Sequence, residues 1–334
     1  MKKLISVITP AYNEESNIDE LARRLVLVFD AEDGYDWEGI VVENGSFDSS
    51  YERLVQLNQR DPRFKVVQLA RNFRMDGGIT AGLESATGDA VVIMASDLQD
   101  PPELIHQFLR KWEEGYDLVY QIVTERRGTG PIRTFNSKLF YWIAGKLTDG
   151  RIPPNVSDFR LADRRVYESV RGMRERNRFV RGLFAWSGFR ATGIEHPREP
   201  REGGVSGAHT FGVLSLAVKG IFAHSYVPLR LISIFGMVLS LLSVVALIAL
   251  TASFFIWGVP FAGFGSIVCT VILMFGFLFT MLGILSEYIG LIYEEVKQRP
   301  NFVVRSTVGF DDDVAPAHER SVAPAHERSV VVES

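Results

Sequence analysis

Val91-Val92-Ile93-Met94-Ala95-Ser96-Asp97-Leu98-Gln99-Asp100-Pro101-Pro102-Glu103 is an apolar run that ends in an acidic cluster and is stopped by two prolines. Its first part, Ala90–Met94, shows no polar alternation, so it reads as a strand buried on both faces. Three similar runs precede it. Leu4–Thr9 is short, β-branched and closed by Pro10, and Gly39–Val42 and Phe64–Leu69 follow. Helix signals stand between them. Asn17 and Glu20 make a capping-box-like start, with Ile18, Leu21, Leu25 and Val28 on one face. Asp76–Ala86 reads as a helix ended by Thr87-Gly88. Buried strands alternating with helices predict an α/β domain with a mostly parallel central sheet covered on both faces. In such sheets ligands bind beyond the carboxyl ends of the strands. The polar clusters fall there: Pro10–Glu14, Glu43–Ser46, Arg71–Phe73 and Ser96–Asp100.

The 334 residues are 47% hydrophobic, and the apolar content is unevenly placed. From Leu231 to Ser286 there is no charged residue and no histidine. A bilayer span needs ~20 such residues. Gly258, Pro260, Gly263 and Gly265 interrupt the run, which predicts a two-helix transmembrane hairpin, residues 231–257 and 264–290. At 1.5 Å per residue the first span would reach ~40 Å, so tilt or an interfacial start is expected. Lys219 and Arg230 precede the spans, and Lys297, Arg299 and Arg305 follow them, whereas the connecting turn has no charge. The positive-inside rule then predicts that both termini and the large N-terminal domain are cytoplasmic, and the expected location is the inner (plasma) membrane, crossed more than once. The apolar start, Leu4–Thr9, is too short for a signal peptide. A net charge of −4, thinly spread, predicts no nucleic-acid partner, and the single cysteine, Cys269, excludes an internal disulfide.

The expected organisation is a domain over 1–210, an approach helix over 211–230, the two spans, and a tail over 291–334. Phe211, Leu214, Ala217, Val218, Ile221 and Phe222 recur at helical spacing, as do Phe135, Leu139, Trp142 and Ile143 beside Arg133, Lys138 and Lys146. Both stretches read either as interfacial amphipathic helices on the bilayer or as ordinary packing on the sheet. The octapeptide Val314–Ser321 repeats as Val322–Ser329. Two copies cannot make a solenoid, so a flexible tail without catalytic role is expected.

The chemistry-bearing residues cluster at strand ends. Mg²⁺ and Mn²⁺ are hard ions that take oxygen ligands, often one carboxylate plus substrate phosphates. Asp97 is such a ligand, although an Asp after a strand can also simply cap the next helix. Arg126, Arg127 and Arg133 lie in and beside a Gly-rich loop, which reads either as a lid over a departing diphosphate or as a solvated basic loop.

Taken with Pro10-Ala11-Tyr12-Asn13-Glu14 and Glu43-Asn44-Gly45-Ser46, the segment from Val91 to Glu103 resembles the family 2 glycosyltransferases with a GT-A fold. Ser157-Asp158-Phe159-Arg160-Leu161 and the two spans narrow the resemblance to the polyprenyl-phosphate glycosyltransferases, relatives of dolichyl-phosphate mannose synthase, over roughly residues 4–305. The resemblance implies that Pro10, Tyr12, Glu14, Glu43, Asn44, Arg71, Ser96 and Asp97 hold the nucleotide. It implies that Asp97 and Gln99 bind Mg²⁺ or Mn²⁺, and that Asp158 is the catalytic base. Three departures matter. Ala95-Ser96-Asp97 stands where the family has Asp-x-Asp, and Glu43-Asn44 stands where it has Asp-Asp. Near the membrane Arg201-Glu202-Gly203-Gly204-Val205-Ser206-Gly207 replaces a Ser-Lys pattern, so Arg201, with Arg198 and Ser206, takes the lipid-phosphate role.

A lipid monophosphate has a second pKa near ~6 and is largely a dianion at pH 7. Asp158 therefore either orients the acceptor or takes its last proton, with pairing to Arg160 or Arg164 as the bland alternative. The expected function is inverting transfer of a hexose from a nucleotide sugar to a polyprenyl phosphate, with UDP-glucose and undecaprenyl phosphate as the best match. The expected partners are these two substrates, the bilayer and further copies of the chain as a tetramer. A processive polysaccharide synthase would carry Gln-x-x-Arg-Trp beyond Asp158, and none is found there. A catalytically dead nucleotide-binding scaffold is suggested by Ala95 but opposed by Asp97, Gln99 and Asp158. A Rossmann oxidoreductase is excluded because no Gly-x-Gly-x-x-Gly follows the first strand.

Overall fold

A computed structural model describes residues 2–126, 155–176, 178–198 and 263–310, with scattered residues between 232 and 256. The chain divides into two compact units, one holding the sheet and the other the apolar helix.

The first unit is an eight-stranded sheet between two layers of helices. Its strands are β1 (Lys3–Ala11), β2 (Tyr35–Glu43), β3 (Phe64–Leu69), β4 (Ala90–Ile93), β5 (Leu118–Arg126), β6 (Val156–Asp163), β7 (Ala191–Arg198) and β8 (Val304–Val308). Their spatial order is β7-β5-β6-β4-β1-β2-β3-β8. The neighbours β4, β1, β2 and β3 are parallel, and β6 and β8 run against the strands they pair with. β5 opposes β6 and β7 follows β5, so six strands share one direction. The carboxyl ends of these six and the amino end of β6 thus lie along one edge. The register Ile93↔Arg160 puts Asp158 on that edge, two residues beyond the last residue of β4.

The helices are α1 (Ile18–Ala31), α2 (Ser50–Arg60), α3 (Arg74–Ser85), α4 (Ile105–Glu113), α5 (Arg164–Gly172), α6 (Val180–Trp186) and α7 (Phe264–Lys297). Leu21, Leu25, Phe29, Leu54 and Phe108 pack on one sheet face with Val7, Val41, Val92 and Phe159. Ile79, Leu83, Val166, Tyr167 and Phe184 pack on the other with Ile8, Ile40, Val67 and Ile93. Strands buried on both faces are the physical reason for their unbroken apolar runs. α3 approaches β1 closely through two glycines. A Cβ at Gly82 would lie 2.2 Å from Ile8 Cγ2, and one at Gly78 2.8 Å from Pro10 Cβ.

Several local expectations are corrected. Pro10 does not close β1, which runs on to Ala11. β4 pairing stops at Ile8↔Ile93, so Pro10 has a ladder partner only on the β2 side and its missing N–H is tolerated. Asn17 makes no side-chain cap, because its Nδ2 donates instead to Glu14 Oε2 at 2.5 Å. β2 begins at Tyr35, and α2 was not foreseen. β8 was not foreseen either. It lies beyond the apolar region, yet pairs antiparallel with β3, and Phe302 beside it is buried.

In the second unit α7 has 34 residues, ~51 Å at 1.5 Å each. Its stretch Leu273–Lys297 is long and apolar enough to cross a membrane, and none of the apolar window within it is buried. Residues 234–238 are helical. Phe235 lies against Phe277 with ring centroids 5.2 Å apart, and a Cβ at Gly236 would stand 2.8 Å from Met281 Cε. The stretches 135–146 and 211–222 and the octapeptide repeat lie outside the described residues.

Candidate active site

The ends of β1, β2 and β4 and the start of α3 surround a cavity of about 270 Å³. Its lining comprises Pro10, Ala11, Tyr12, Glu14, Asn44, Asn72, Arg74, Met75, Ala95, Ser96 and Asp97. Asn13, Arg74 and Leu98 are non-glycine residues with φ of 53°, 63° and 57°. Each sits in the turn that follows a strand or opens a helix at this edge. Left-handed backbone at such residues costs energy and persists where the surrounding contacts impose it, commonly at functional sites.

Those contacts are visible. Asn13 N–H donates to Ser46 Oγ at 3.0 Å, and Asn13 Oδ1 accepts from Phe47 N–H at 2.9 Å. The two turns thus brace one another, and Tyr12 meets Phe47 edge-on at 6.4 Å. Phe47 is 91% exposed, an unusual position for a large apolar ring. Glu14 lines the cavity while its N–H donates to Ser50 Oγ at 3.0 Å.

The expected residues divide by geometry. Pro10, Tyr12, Glu14, Asn44, Ser96 and Asp97 line the cavity, whereas Glu43, Arg71 and Gln99 do not. Glu43 is buried and accepts from Ser46 N–H at 2.5 Å, which shapes the turn. Arg71 is exposed, with its guanidinium 4.0 Å from the Phe73 ring centre. The arginine at the wall is Arg74. The polar cluster Arg71–Phe73 stopped two residues short, since Arg74 and Met75 reach the cavity along with Asn72. Asn44 is buried and uses both ends of its amide: Nδ2 donates to the Arg74 carbonyl, Oδ1 accepts from Phe73 N–H, each at 2.9 Å. Ser96 Oγ donates to the Pro10 carbonyl.

Asp97 Oδ1 accepts from Gln99 N–H at 3.3 Å. Among the described residues no group of three or more His, Cys, Asp and Glu side chains forms a metal cage. Of the two carboxylates at the cavity, Glu14 accepts from Asn17 Nδ2, and Asp97 suits Mg²⁺ or Mn²⁺ if substrate oxygens and waters complete the shell, a usual arrangement for Mg²⁺.

Asp158 faces the helix layer that holds α3 and α6. Arg181 Nε and Nη2 donate to its Oδ1 and Oδ2 at 3.0 and 2.7 Å. Arg160 is 3.8 Å from Oδ1, and Arg164 is instead close to Asp89 and Tyr167. The partner among the described residues that takes both oxygens is therefore Arg181, which the sequence did not single out. Burial pushes the Arg160 guanidinium down to about 10, which leaves it charged at neutral pH. Burial also raises the Asp76 carboxyl, and the nearby Asp158 charge adds to this. Arg126 and Arg198 stand opposite each other where β5 and β7 end. Arg127, Arg133, Arg201 and Ser206 lie outside the described residues.

A mostly parallel sheet with an aromatic and acidic cradle at its carboxyl edge is the GT-A-like frame of a glycosyltransferase. The model of the family "Glycosyl transferase family 2" matches residues 6–171. An uncharacterized glycosyltransferase of Synechocystis sp. is 38% identical over 92% of this chain and 96% of its own. The Bacillus subtilis glycosyltransferase YkcC is 36% identical over 92% and 95%. The bactoprenol glucosyl transferase of Shigella phage SfX is 32% identical over 90% and 99%. The chain belongs to glycosyl transferase family 2, and it is an enzyme of the glycosyltransferase class.

Proposed function

We propose that the protein moves a glucosyl group from UDP-glucose to a polyprenyl phosphate such as undecaprenyl phosphate, leaving a lipid-linked monosaccharide and UDP. The observation that carries this reading is the near end-to-end likeness to a bactoprenol glucosyl transferase, apolar region included. The cavity supports the donor side. Tyr12 offers an aromatic ring, Glu14 a carboxylate, and Arg74 a positive charge near the opening of α3, where backbone N–H groups favour anions. Asp97, whose Oδ1 accepts from Gln99 N–H, would hold Mg²⁺ or Mn²⁺, which when bound neutralises the departing diphosphate. Asp158 stands on the acceptor side, in reach of the same sheet edge.

The acceptor phosphate oxygen attacks the anomeric carbon as the bond from that carbon to the diphosphate oxygen breaks, so configuration inverts. A phosphate monoester dianion needs no base to attack. Arg201 and Ser206 would receive its charge at headgroup level, beside the expected interfacial helix over 211–230. Arg126, Arg127 and Arg133 would close over the diphosphate.

The reading includes two membrane crossings in the inner membrane, with the sheet on the cytoplasmic side. Two facts support an even number. The chain leaves the sheet after β7 and returns to the same sheet as β8, so it must end on the side where it began. Phe235 and Gly236 also pack against α7.

The test is a screen of radiolabelled nucleotide sugars with polyprenyl phosphates, using purified full-length protein in detergent. The expected result is organic-extractable label, released as glucose by mild acid. Label found only in polymer, in protein or as free sugar overturns the reading. Labelling of residues 261–264 from outside intact cells, with the tail protected, is expected for the topology; the reverse pattern overturns it.

A further inference from the structure

Asp158 is held from outside its own strand. Arg181, on α6, spans both carboxylate oxygens in the paired-fork geometry that is strongest for Arg and carboxylate. Arg160, on the same face of β6, is the nearer guanidinium in sequence. Its Nη2 and Nε, however, donate to the carbonyls of Ser157 and Asp158 at 2.9 and 3.1 Å. α6 has seven residues, too few to be stable by itself. Its first N–H, on Val180, donates to Asp76 Oδ1 at 2.9 Å. Asp76 lies in the first turn of α3, directly after Arg74 and Met75, which line the cavity. Contacts therefore run from the cavity wall through Asp76 and α6 to Arg181 and Asp158.

We propose that Arg181 and Asp76 are positioning residues for Asp158: Arg181 aims its carboxylate and keeps it ionised, and Asp76 fixes Arg181 by tying α6 to α3. This rests on the reading of Asp158 as the acceptor-side group. Asp158 faces Arg181 from α6, Arg160 from β6 and Asp76 from α3; Tyr120 from β5 faces Arg160, and Arg178, from the segment before α6, faces Glu84, Glu175 and Asp76. Two guanidinium groups, Arg160 and Arg181, lie beside the Asp158 carboxylate, so its charge is offset where an acceptor arrives as a dianion. A carboxylate inside such a pair is a weak base. Asp158 then orients the acceptor and does not draw a proton from it.

The experiment measures kcat, KM for donor and lipid, and UDP affinity for full-length variants in detergent. Arg181→Gln is expected to lower kcat roughly 10²-fold, the scale of a small misplacement, while UDP affinity is kept. Arg181→Lys, which keeps charge but not the fork, should recover part of the loss. Asp76→Ala should lower kcat about tenfold, the low end for the outer partner of an active group. Asp76→Asn keeps the acceptor for Val180 N–H and should recover most of that loss. Wild-type kcat in Arg181→Gln, no recovery in Arg181→Lys, or loss of UDP binding overturns the positioning role. A fully active Asp158→Asn overturns instead the reading on which it rests.

Discussion

Ser96 Oγ donates to the Pro10 carbonyl at 3.0 Å, joining the end of β4 to the end of β1 across the cavity wall. The last ladder contact between these strands is Met94 N–H to the Ile8 carbonyl, so beyond it this hydroxyl is the tie that holds Asp97 near Tyr12. The sequence assigned Ser96 to the nucleotide; its hydroxyl is engaged by the protein.

Ser96→Ala leaves a buried carbonyl without this donor, a cost of about 1–3 kcal/mol. The expected outcome is a lower thermal midpoint and a donor KM raised more than kcat is lowered. Unchanged donor KM in a destabilised variant would show that the tie does not shape the site.

Asn44→Asp keeps the acceptor for Phe73 N–H but loses the donor to the Arg74 carbonyl and sets a carboxylate against that oxygen. Stability should fall by about 1–3 kcal/mol, and the donor KM should rise. Calorimetric UDP titration checks this, and equal affinity in the variant would count against it. The same geometry explains the departure from Asp-Asp at this turn: one donor and one acceptor are needed, and Asn supplies both.

Asp97→Ala removes the carboxylate that lines the cavity beside Ala95. Turnover supported by Mg²⁺ or Mn²⁺ should fall ~10²-fold or more. Assay across metal concentration, with EDTA as the control, decides it: activity indifferent to EDTA in the parent protein removes the metal from the mechanism.

Asp76 gives a pH-dependent stability term. Burial raises its carboxyl above the ordinary value of 3.8, so its stabilising contribution is present below that value and is lost as pH rises through the folded one. At pH 7 the buried charge is a cost that Asp76→Asn removes while keeping the bond to Val180. The variant should be the more stable at neutral pH, and its advantage should shrink to nothing near pH 4. Thermal midpoints across pH test this; an advantage independent of pH would assign it to something other than ionisation.

The parallel core was legible because β1–β4 are buried on both faces, and their apolar runs state this directly. α2 was not, because Leu54 and Leu57 are its fully buried apolar residues, too few to mark a helical face in the sequence. The cradle at the strand ends was legible as clusters, but not which members point inward. Arg71 and Arg74 are three residues apart, and only a left-handed turn at Arg74 puts that one at the wall. The Asp158–Arg181 pair joins a strand to a helix 23 residues on, and no local pattern records such a contact.

β8 is made last and pairs with a strand made early. Ser306 Oγ donates to Gln68 Oε1 across 238 residues of chain. Closing a loop of that length costs about 5 kcal/mol of chain entropy, and it cannot begin until the apolar region has left the ribosome. Until then the outer edge of β3 is an open row of N–H and C=O groups, a template for the wrong partner. A chain whose apolar region inserted with an odd number of crossings would carry β8 to the far side and leave that edge open for good. On the proposed reading of two membrane crossings, the closing strand makes sheet completion depend on correct insertion, and a mis-inserted chain would keep an exposed edge.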